Sequence, residues 1–145
     1  MAIGGGGTMA HWLVKSEPSA YSWANMVADK RTHWNGVRNF QAANNLKAMK
    51  VGDSCFFYHS NEERAVVGVV EVVKTCYPDP SDPTGKFVMV DLKAGKKLKI
   101  PVTLAQIKAD PELATIALVR QSRLSVMPID AKAWARIVKL GGGLG

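Results

Sequence analysis

Residues 54–59 read SCFFYH and residues 65–74 read AVVGVVEVVK, and these two stretches decide the class of fold. Both are short, rich in β-branched and aromatic residues and free of proline, which is the composition of β-strands. The five residues between them, SNEER, have the length of a hairpin connection. The sequence therefore predicts a β-hairpin near the centre of the chain.

Further strands and short helices are predicted on both sides of this hairpin. The other predicted strands are residues 12–15, 87–92, 97–102 and 124–127, with a turn at 93–96. The predicted helices are residues 21–28, 41–49, 104–108 and 131–140, and residues 33–40 and 77–86 are predicted loops. Ser19 or Ser22, then Asn39, Thr103 and Asp130, are of the residue types that cap helix N-termini.

The order of these elements indicates an α+β fold that is mainly β. Strands and helices do not alternate regularly, so a doubly wound parallel sheet is disfavoured. About six or seven short strands suit a small mixed or antiparallel barrel. The chain has 145 residues, 47% of them hydrophobic and 21% charged, which is enough for one core and one domain.

The glycine-rich ends are predicted to lie outside this domain. Residues 1–8 read MAIGGGGT and have neither the basic start nor the apolar centre of a signal peptide. They are expected to be a flexible leader or an expression scar, with Met9 as the natural start. The folded domain is predicted to span residues 9–140, and residues 141–145 to form a flexible tail.

The net charge of +7 and a pI of about 9.6 favour polyanionic partners. Nucleic acid is favoured over a membrane, because no amphipathic helix with a strongly basic face is evident. Cys55 and Cys76 lack metal-ligand spacing, as do the three histidines, and we expect two reduced thiols in a cytoplasmic protein without cofactor or metal. A monomer is the default expectation.

Several segments in a fixed order carry a family resemblance. They are KSEP (15–18), YSW (21–23), WNGVRNFQA (34–42), MKVGD (49–53), FYHS (57–60), GVVEV (68–72), YPD (77–79) and LVRQSRLSV (118–126). In this combination the chain resembles the EVE domain, as in the thymocyte nuclear protein family and its bacterial relatives. The resemblance covers nearly all of residues 9–140.

The resemblance implies a PUA-like β pseudo-barrel of about six strands with short flanking helices. It also implies a non-enzymatic module that reads a base of DNA or RNA, in particular a modified base. Such recognition needs an aromatic face for stacking, polar groups for the base edge and cations for the flanking phosphates. The candidate nucleotide-binding residues are Lys15, Ser16, Glu17, Trp23, Trp34, Gly36, Val37, Arg38, Asn39, Gln41, Tyr58, His59, Ser60, Arg120 and Arg123.

Trp34 is the preferred stacking residue, because its loop is otherwise polar and glycine-rich. Trp23 and Tyr58 are second choices. For each of these three residues, the alternative is a purely structural role in the core. Trp12 and Trp134 are expected in the core. We expect Trp34→Ala to weaken binding and to leave the fold intact.

The polar and charged candidates have alternatives of the same kind. Asn39 and Gln41 offer a donor and an acceptor side by side, yet Asn39 also stands where a helix cap belongs. Arg38, Arg120 and Arg123 are the preferred phosphate partners, and a lone arginine is usually a solvated surface residue. Ser16, His59 and Ser60 lie at the ends of predicted strands and could add contacts to a base.

Two other functions remain open at this stage. The first is an ASCH-like hydrolase of a modified nucleoside, because Lys15 and Glu17 are two residues apart and would share one face of a strand. The second is a plain protein-interaction module. Neither a nucleophile elbow nor a GxxxxGK[ST] phosphate loop is present in the sequence.

Overall fold

Six strands build one mixed sheet in the computed structural model, which describes residues 10–144. The strands are β1 (His11–Ser16), β2 (Arg31–Trp34), β3 (Ser54–His59), β4 (Ala65–Pro78), β5 (Val88–Thr103) and β6 (Val126–Ile129). Their order across the sheet is β2-β5-β4-β3-β1-β6. Only β1 and β3 among these pairs run parallel, and the sheet stays open between its edges β2 and β6. The predicted leader, residues 1–8, lies outside the described residues.

Five short helices flank the sheet: α1 (Trp23–Asp29), α2 (Phe40–Ala48), α3 (Leu104–Ala109), α4 (Ala117–Arg120) and α5 (Ala131–Leu140). The predicted caps are confirmed at Ser22, Asn39, Thr103 and Asp130, whose side chains each accept a hydrogen bond from a backbone N–H of the first turn. The predicted α+β, mainly β fold with short flanking helices is confirmed. Helix α4 was not predicted.

The central hairpin has the predicted strands, but β4 continues to Pro78, into the predicted loop 77–86, where Tyr77 and Pro78 pair with β5. A bulge interrupts the hairpin register between Phe57 and Tyr58. Next to it, β5 corrects the prediction of two strands joined by a turn at residues 93–96. One strand runs from Val88 to Thr103 and pairs with β4 over most of its length. Gly95 allows this, because a Cβ there would lie 2.6 Å from the Val69 carbonyl oxygen.

Strand β2 lies in a segment whose second half was assigned to a loop. Its four residues pair antiparallel with β5, from Arg31 opposite Lys93 to Trp34 opposite Val90. The partner strand is nearly 60 residues away, so nothing local in the sequence specifies this edge. At the other end of the chain, the carbonyl groups of Gly141 and Gly143 accept hydrogen bonds from β5, within the segment predicted to be a flexible tail.

The Asp53 carboxylate joins the start of β1 to the turn before β3. It accepts hydrogen bonds from the Ala10 N–H at 3.1 Å, the Trp12 Nε1–H at 2.9 Å and the Lys50 N–H at 2.9 Å. Asp53 is only 1% exposed and its hydrogen bond from Trp12 is buried, whereas Ala10 and Lys50 are exposed residues. This buried polar contact fixes β1 in the sheet, and β1 leads directly into the candidate site.

Candidate functional site

An open cavity of about 530 Å³ lies where β1 and β2 end. It is lined by eight of the predicted residues, namely Lys15, Ser16, Glu17, Trp34, Gly36, Val37, Arg38 and Asn39, and by six others, Ala20, Tyr21, Thr32, His33, Asn35 and Ser125. Its volume is within the usual range for small-molecule and cofactor sites. We call it the first cavity.

Trp34 forms part of the cavity wall and part of the core. The residue is only 9% exposed. Its ring meets Phe57 with centroids 5.6 Å apart at 78° and Tyr21 at 6.3 Å and 81°, both edge-to-face arrangements. The two alternatives for Trp34, a stacking surface and a place in the core, therefore do not exclude each other. One part of the side chain lines the cavity, and the rest packs beneath it.

The loop between β2 and α2, residues 35–39, is held by the Asp79 carboxylate. Asp79 accepts the Gly36 N–H at 2.8 Å and Arg38 Nη1 at 3.2 Å, and its other oxygen accepts two hydrogen bonds from Ser81. Arg38 Nη2 also donates to Ser81 Oγ at 3.0 Å. Most of the guanidinium is thus engaged with the protein, and the loop that lines the cavity is fixed before any ligand arrives.

The pKa of Asp79 reflects this arrangement. Burial alone would raise the pKa, but hydrogen bonds from Ser81, Gly36 and Arg38 outweigh it and lower the pKa to about 2. A carboxyl group whose pKa falls on folding stabilises the folded state above its unfolded pKa. This contribution is lost as the pH drops from about 4 towards about 2.

Asp79→Asn is expected to lower the free energy of unfolding by about 1–3 kcal/mol at pH 7, because an amide cannot accept from all four donors. The difference from wild type should shrink as the pH falls from about 4 towards about 2, because the Asp79 carboxyl group is protonated first in the unfolded chain and, near pH 2, in the folded protein too. Urea denaturation of both proteins at several pH values measures it. A difference that stays constant down to pH 2 would contradict the role assigned to the carboxylate.

The other wall of the cavity comes from the end of β1. Ser16 Oγ donates to the Tyr21 carbonyl oxygen at 2.6 Å, and Lys15 Nζ donates to the Ser122 carbonyl oxygen at 2.9 Å. Burial lowers the pKa of Lys15. Glu17 is exposed and follows the strand, and no ion pair joins it to Lys15 among residues 10–144.

A polar cluster supports the β2 side and was not predicted. The Asp91 carboxylate, 2% exposed, accepts from Arg31 Nη2 at 2.8 Å and from the Tyr77 hydroxyl, and lies 2.8 Å from His33 Nδ1. Burial would raise the pKa of Asp91, but these contacts lower it to about 2. His33 lines the first cavity, so the cluster fixes the orientation of its ring.

Two predicted residues lie in the core instead of the cavity. Trp23 is 9% exposed and packs on Phe57, and its indole fills the space that a Cβ on Gly68 would need. His59 Nε2 accepts the Trp23 N–H at 2.9 Å, which places the ring proton on Nδ1, 2.7 Å from Glu63 Oε1. Both residues therefore pack in the core, and their positions depend on sheet packing that the sequence does not display.

The remaining predicted residues lie around the first cavity without lining it. Tyr58 and Ser60 line a second cavity on the other side of Lys15. Gln41 and Arg123 line a third, shallow one that shares Asn39 with the first. Arg120 is exposed at the end of α4 and does not line the first cavity. Asn39 lines the first cavity, and its side-chain oxygen caps α2, which is the alternative role predicted for it.

Among the lining residues that were not predicted, Tyr21 had a signal, since it stands within the YSW segment. Asn35 likewise lies inside WNGVRNFQA. His33 and Thr32 had none, because only pairing of β2 with β5 brings them there. In the described part of the chain, no three His, Cys, Asp or Glu side chains are grouped as metal ligands would be, and no helix is long and apolar enough to cross a bilayer.

Comparison with known proteins supports the family resemblance seen in the sequence. Residues 10–140 match the EVE domain family profile. The thymocyte nuclear protein 1 of Gallus gallus is 35% identical over 92% of this chain and 69% of its own length, and the Homo sapiens protein is 32% identical over 90% and 73%.

Solved structures agree with the sequence matches. A Rhodopseudomonas palustris protein solved by NMR is 52% identical, with a TM-score of 0.88 over 92% of this chain and 94% of that one. Human THYN1, solved in complex with DNA containing 5-methylcytosine, is 32% identical, with a TM-score of 0.87 over 91% and 97%. An ASCH protein of Zymomonas mobilis, 10% identical with a TM-score of 0.58 over 90% and 98%, shares the fold alone. The chain belongs to the EVE domain family.

Proposed function

We propose that this protein is a non-enzymatic DNA-binding module that holds one modified cytosine, 5-methylcytosine, in the first cavity. One observation carries the proposal: aromatic, carboxylate and cationic side chains from separate segments converge on a single cavity of nucleotide size. The human relative solved with 5-methylcytosine DNA supports the choice of base. A cytoplasmic monomer remains our expectation, and the free thiols Cys55 and Cys76 suit a reducing compartment.

An extruded base loses its stacking partners in the duplex, at a cost of about a few kcal/mol. Trp34 and Tyr21 offer aromatic surface in return, and stacking on an aromatic side chain contributes about 1–3 kcal/mol. Val37, 7% exposed and lining the cavity, offers an apolar contact for the 5-methyl group. Burying one methyl contributes about 0.8 kcal/mol, or roughly a fourfold preference over cytosine.

Glu17 selects the base by a hydrogen bond to its edge. Cytosine and its 5-methyl derivative carry an N4 amino group, which donates to a carboxylate, whereas thymine presents an O4 acceptor that a carboxylate repels. Both 5-methylcytosine and thymine carry the methyl group, so Val37 cannot tell them apart. We infer that Glu17 discriminates between these two bases.

The first test measures binding of the purified protein, at physiological salt, to matched DNA duplexes with cytosine, 5-methylcytosine or thymine at one position. We expect the tightest binding to 5-methylcytosine. Glu17→Gln should raise the Kd of that complex about tenfold or more, since a hydrogen bond to a charged group contributes about 1.5–3 kcal/mol. It should also reduce discrimination against thymine.

Glu62→Gln is the matched control, because Glu62 is also exposed and lies in the turn after β3 without lining the first cavity. It should bind like wild type. A single-stranded RNA with the same modified base distinguishes the DNA from the RNA alternative. Equal affinity of wild type for all three duplexes would refute base recognition and attribute binding to the net charge.

The hydrolase alternative keeps one supporting observation, which is that Lys15, with its lowered pKa, and Glu17 both line the first cavity. A lysine of lowered pKa can act as a general base. Incubation of wild type and Glu17→Gln with 5-methyl-2′-deoxycytidine, followed by chromatography, separates the two functions. Turnover that disappears in Glu17→Gln would favour the enzyme over the binding module.

A further inference from the structure

A second cavity of about 310 Å³ lies on the far side of Lys15, between the β3–β4 turn, α3 and α4. Lys15, Arg64 and Lys108 contribute three cations to it, with Tyr58, Ser60 and Ser122 among the other lining residues. Within residues 10–144, no carboxylate lines it. A concave site with three cations and hydroxyl donors has the chemistry of a phosphate site.

The three cations are not neutralised by the described part of the protein. None of the ion pairs among residues 10–144 includes Lys15, Arg64 or Lys108. Lys15 Nζ and Arg64 Nε donate to backbone carbonyl oxygens, those of Ser122 and Asn61, both at 2.9 Å. The lowered pKa of Lys15 has burial as its cause, as expected for a cation that lacks a facing anion.

Tyr58 provides a second, independent observation. The residue is 2% exposed, and its hydroxyl takes part in none of the side-chain hydrogen bonds of residues 10–144. No fully enclosed side-chain polar atom in residues 10–144 lacks a partner, so this hydroxyl opens onto the cavity that Tyr58 lines. Burial raises the pKa of Tyr58, and the nearby Arg64 charge partly opposes that rise. This hydroxyl, which opens onto the cavity beside a cation, is thus available to a ligand.

The backbone holds Arg64 in position at this cavity. Arg64 has φ of 50° and Asn61 has φ of 71°, both in the left-handed region that non-glycine residues rarely adopt. The Arg64 carbonyl oxygen accepts the Leu104 N–H at 2.8 Å, which ties the turn to the start of α3. The conformation is therefore fixed by tertiary contacts.

We propose that this second cavity binds a backbone phosphate of the DNA strand whose modified base occupies the first cavity. The proposal rests on the proposed function, and Lys15, which lines both cavities, connects them. Tyr58 and Ser60, predicted as part of a base pocket, become phosphate ligands in this arrangement. Arg64 and Lys108 join them as binding residues that the sequence did not single out.

The test compares Arg64→Ala and Lys108→Ala with Lys96→Ala, an exposed lysine of β5 that lines neither cavity. The Kd for 5-methylcytosine and cytosine duplexes is measured at several salt concentrations. Each cavity variant should weaken binding to both duplexes by the same factor. It should also lower the slope of log K against log salt by about 0.9 for each phosphate that the variant no longer neutralises. Lys96→Ala should leave the slope nearest to that of wild type.

A neutral methylphosphonate at each linkage near the modified base locates the phosphate. Wild type should lose affinity at one linkage, and Arg64→Ala should be insensitive to substitution there. Tyr58→Phe, which keeps the ring, should reproduce part of the loss. Competition by 5-methyl-2′-deoxycytidine 5′-monophosphate as strong as by the duplex would overturn the strand phosphate in favour of a free nucleotide.

The two proposals fail in different ways. If Arg64→Ala and Lys108→Ala have the same salt slope as Lys96→Ala while the protein still prefers 5-methylcytosine, the phosphate site alone is overturned. A lowered slope without any preference for the modified base would overturn base recognition and leave the phosphate site standing. Thermal denaturation of each variant confirms that the compared proteins are folded.

Discussion

Trp34→Ala is expected to lower the free energy of unfolding by about 3–5 kcal/mol, the usual cost of removing a buried tryptophan side chain. Trp34 is 9% exposed and packs edge-to-face on Phe57 and Tyr21. Alanine would leave a space between these two rings and the sheet that they cannot easily fill. The burial of Trp34 therefore argues against the expectation from sequence that Trp34→Ala would leave the fold intact.

Urea denaturation followed by circular dichroism measures the effect, with the m-value checked for constancy between the two proteins. Trp34→Phe should retain most of the stability, since it keeps an aromatic ring against Phe57. A wild-type midpoint for the alanine variant would show that the indole contributes to the cavity and not to the core.

The binding experiment must therefore use Trp34→Phe. A smaller ring keeps part of the stacking surface, so the Kd for the 5-methylcytosine duplex should rise severalfold, within the roughly 1–3 kcal/mol that stacking supplies. Weak binding by Trp34→Ala alone would not distinguish a missing stacking surface from partial unfolding. The phenylalanine variant removes this ambiguity because it is expected to stay folded under the assay conditions, as the denaturation experiment checks.

Local signals account for the parts of the fold that were predicted from sequence. Composition defined the hairpin, and side chains such as Asn39 and Asp130 marked helix starts, because a cap bonds only its own first turn. Strand β2 escaped prediction, since its partner is about 60 residues away. The continuity of β5 escaped it because residues 93–96 resemble a turn, whereas Gly95 lies in the strand against the Val69 carbonyl oxygen. A four-residue edge strand has no periodicity long enough to detect.

The candidate site divides in the same way. Residues 34–39 lie together in sequence and line one cavity, and all of them except Asn35 were candidates from the sequence. Trp23 stands in a motif segment too, yet it packs where Gly68 leaves room, 45 residues further along. Asp79 and Asp91 shape the cavity through contacts about 40 and 60 residues away. Neighbouring residues in the sequence were enough to predict which loop lines the cavity. The side chains that hold this loop in place come from distant parts of the chain and could not be predicted.

Asp53→Ala is expected to lower the free energy of unfolding by at least about 2 kcal/mol, because three donors lose their acceptor. The buried one, from Trp12, costs about 1–3 kcal/mol when left unsatisfied, and each of the two part-buried hydrogen bonds contributes about 0.5–1.5 kcal/mol. The donors are the N–H groups of Ala10 and Lys50 and the Trp12 indole N–H. Because β1 pairs with both β3 and β6, loosening its start affects the interior of the sheet as well as the turn before β3. Urea denaturation measures the loss.

Asp130→Ala is the matched control, since Asp130 is also an aspartate that accepts a backbone N–H, from Ala133 at 2.8 Å, but is exposed. Removing this single cap should cost about 1 kcal/mol. Asp53→Asn should fall between the two alanine variants, because one carboxamide oxygen still accepts a hydrogen bond while the amide nitrogen faces another donor. Equal losses for Asp53→Ala and Asp130→Ala would mean that water reaches the Trp12 indole N–H, and that the Asp53 contacts do not anchor β1 beneath the first cavity.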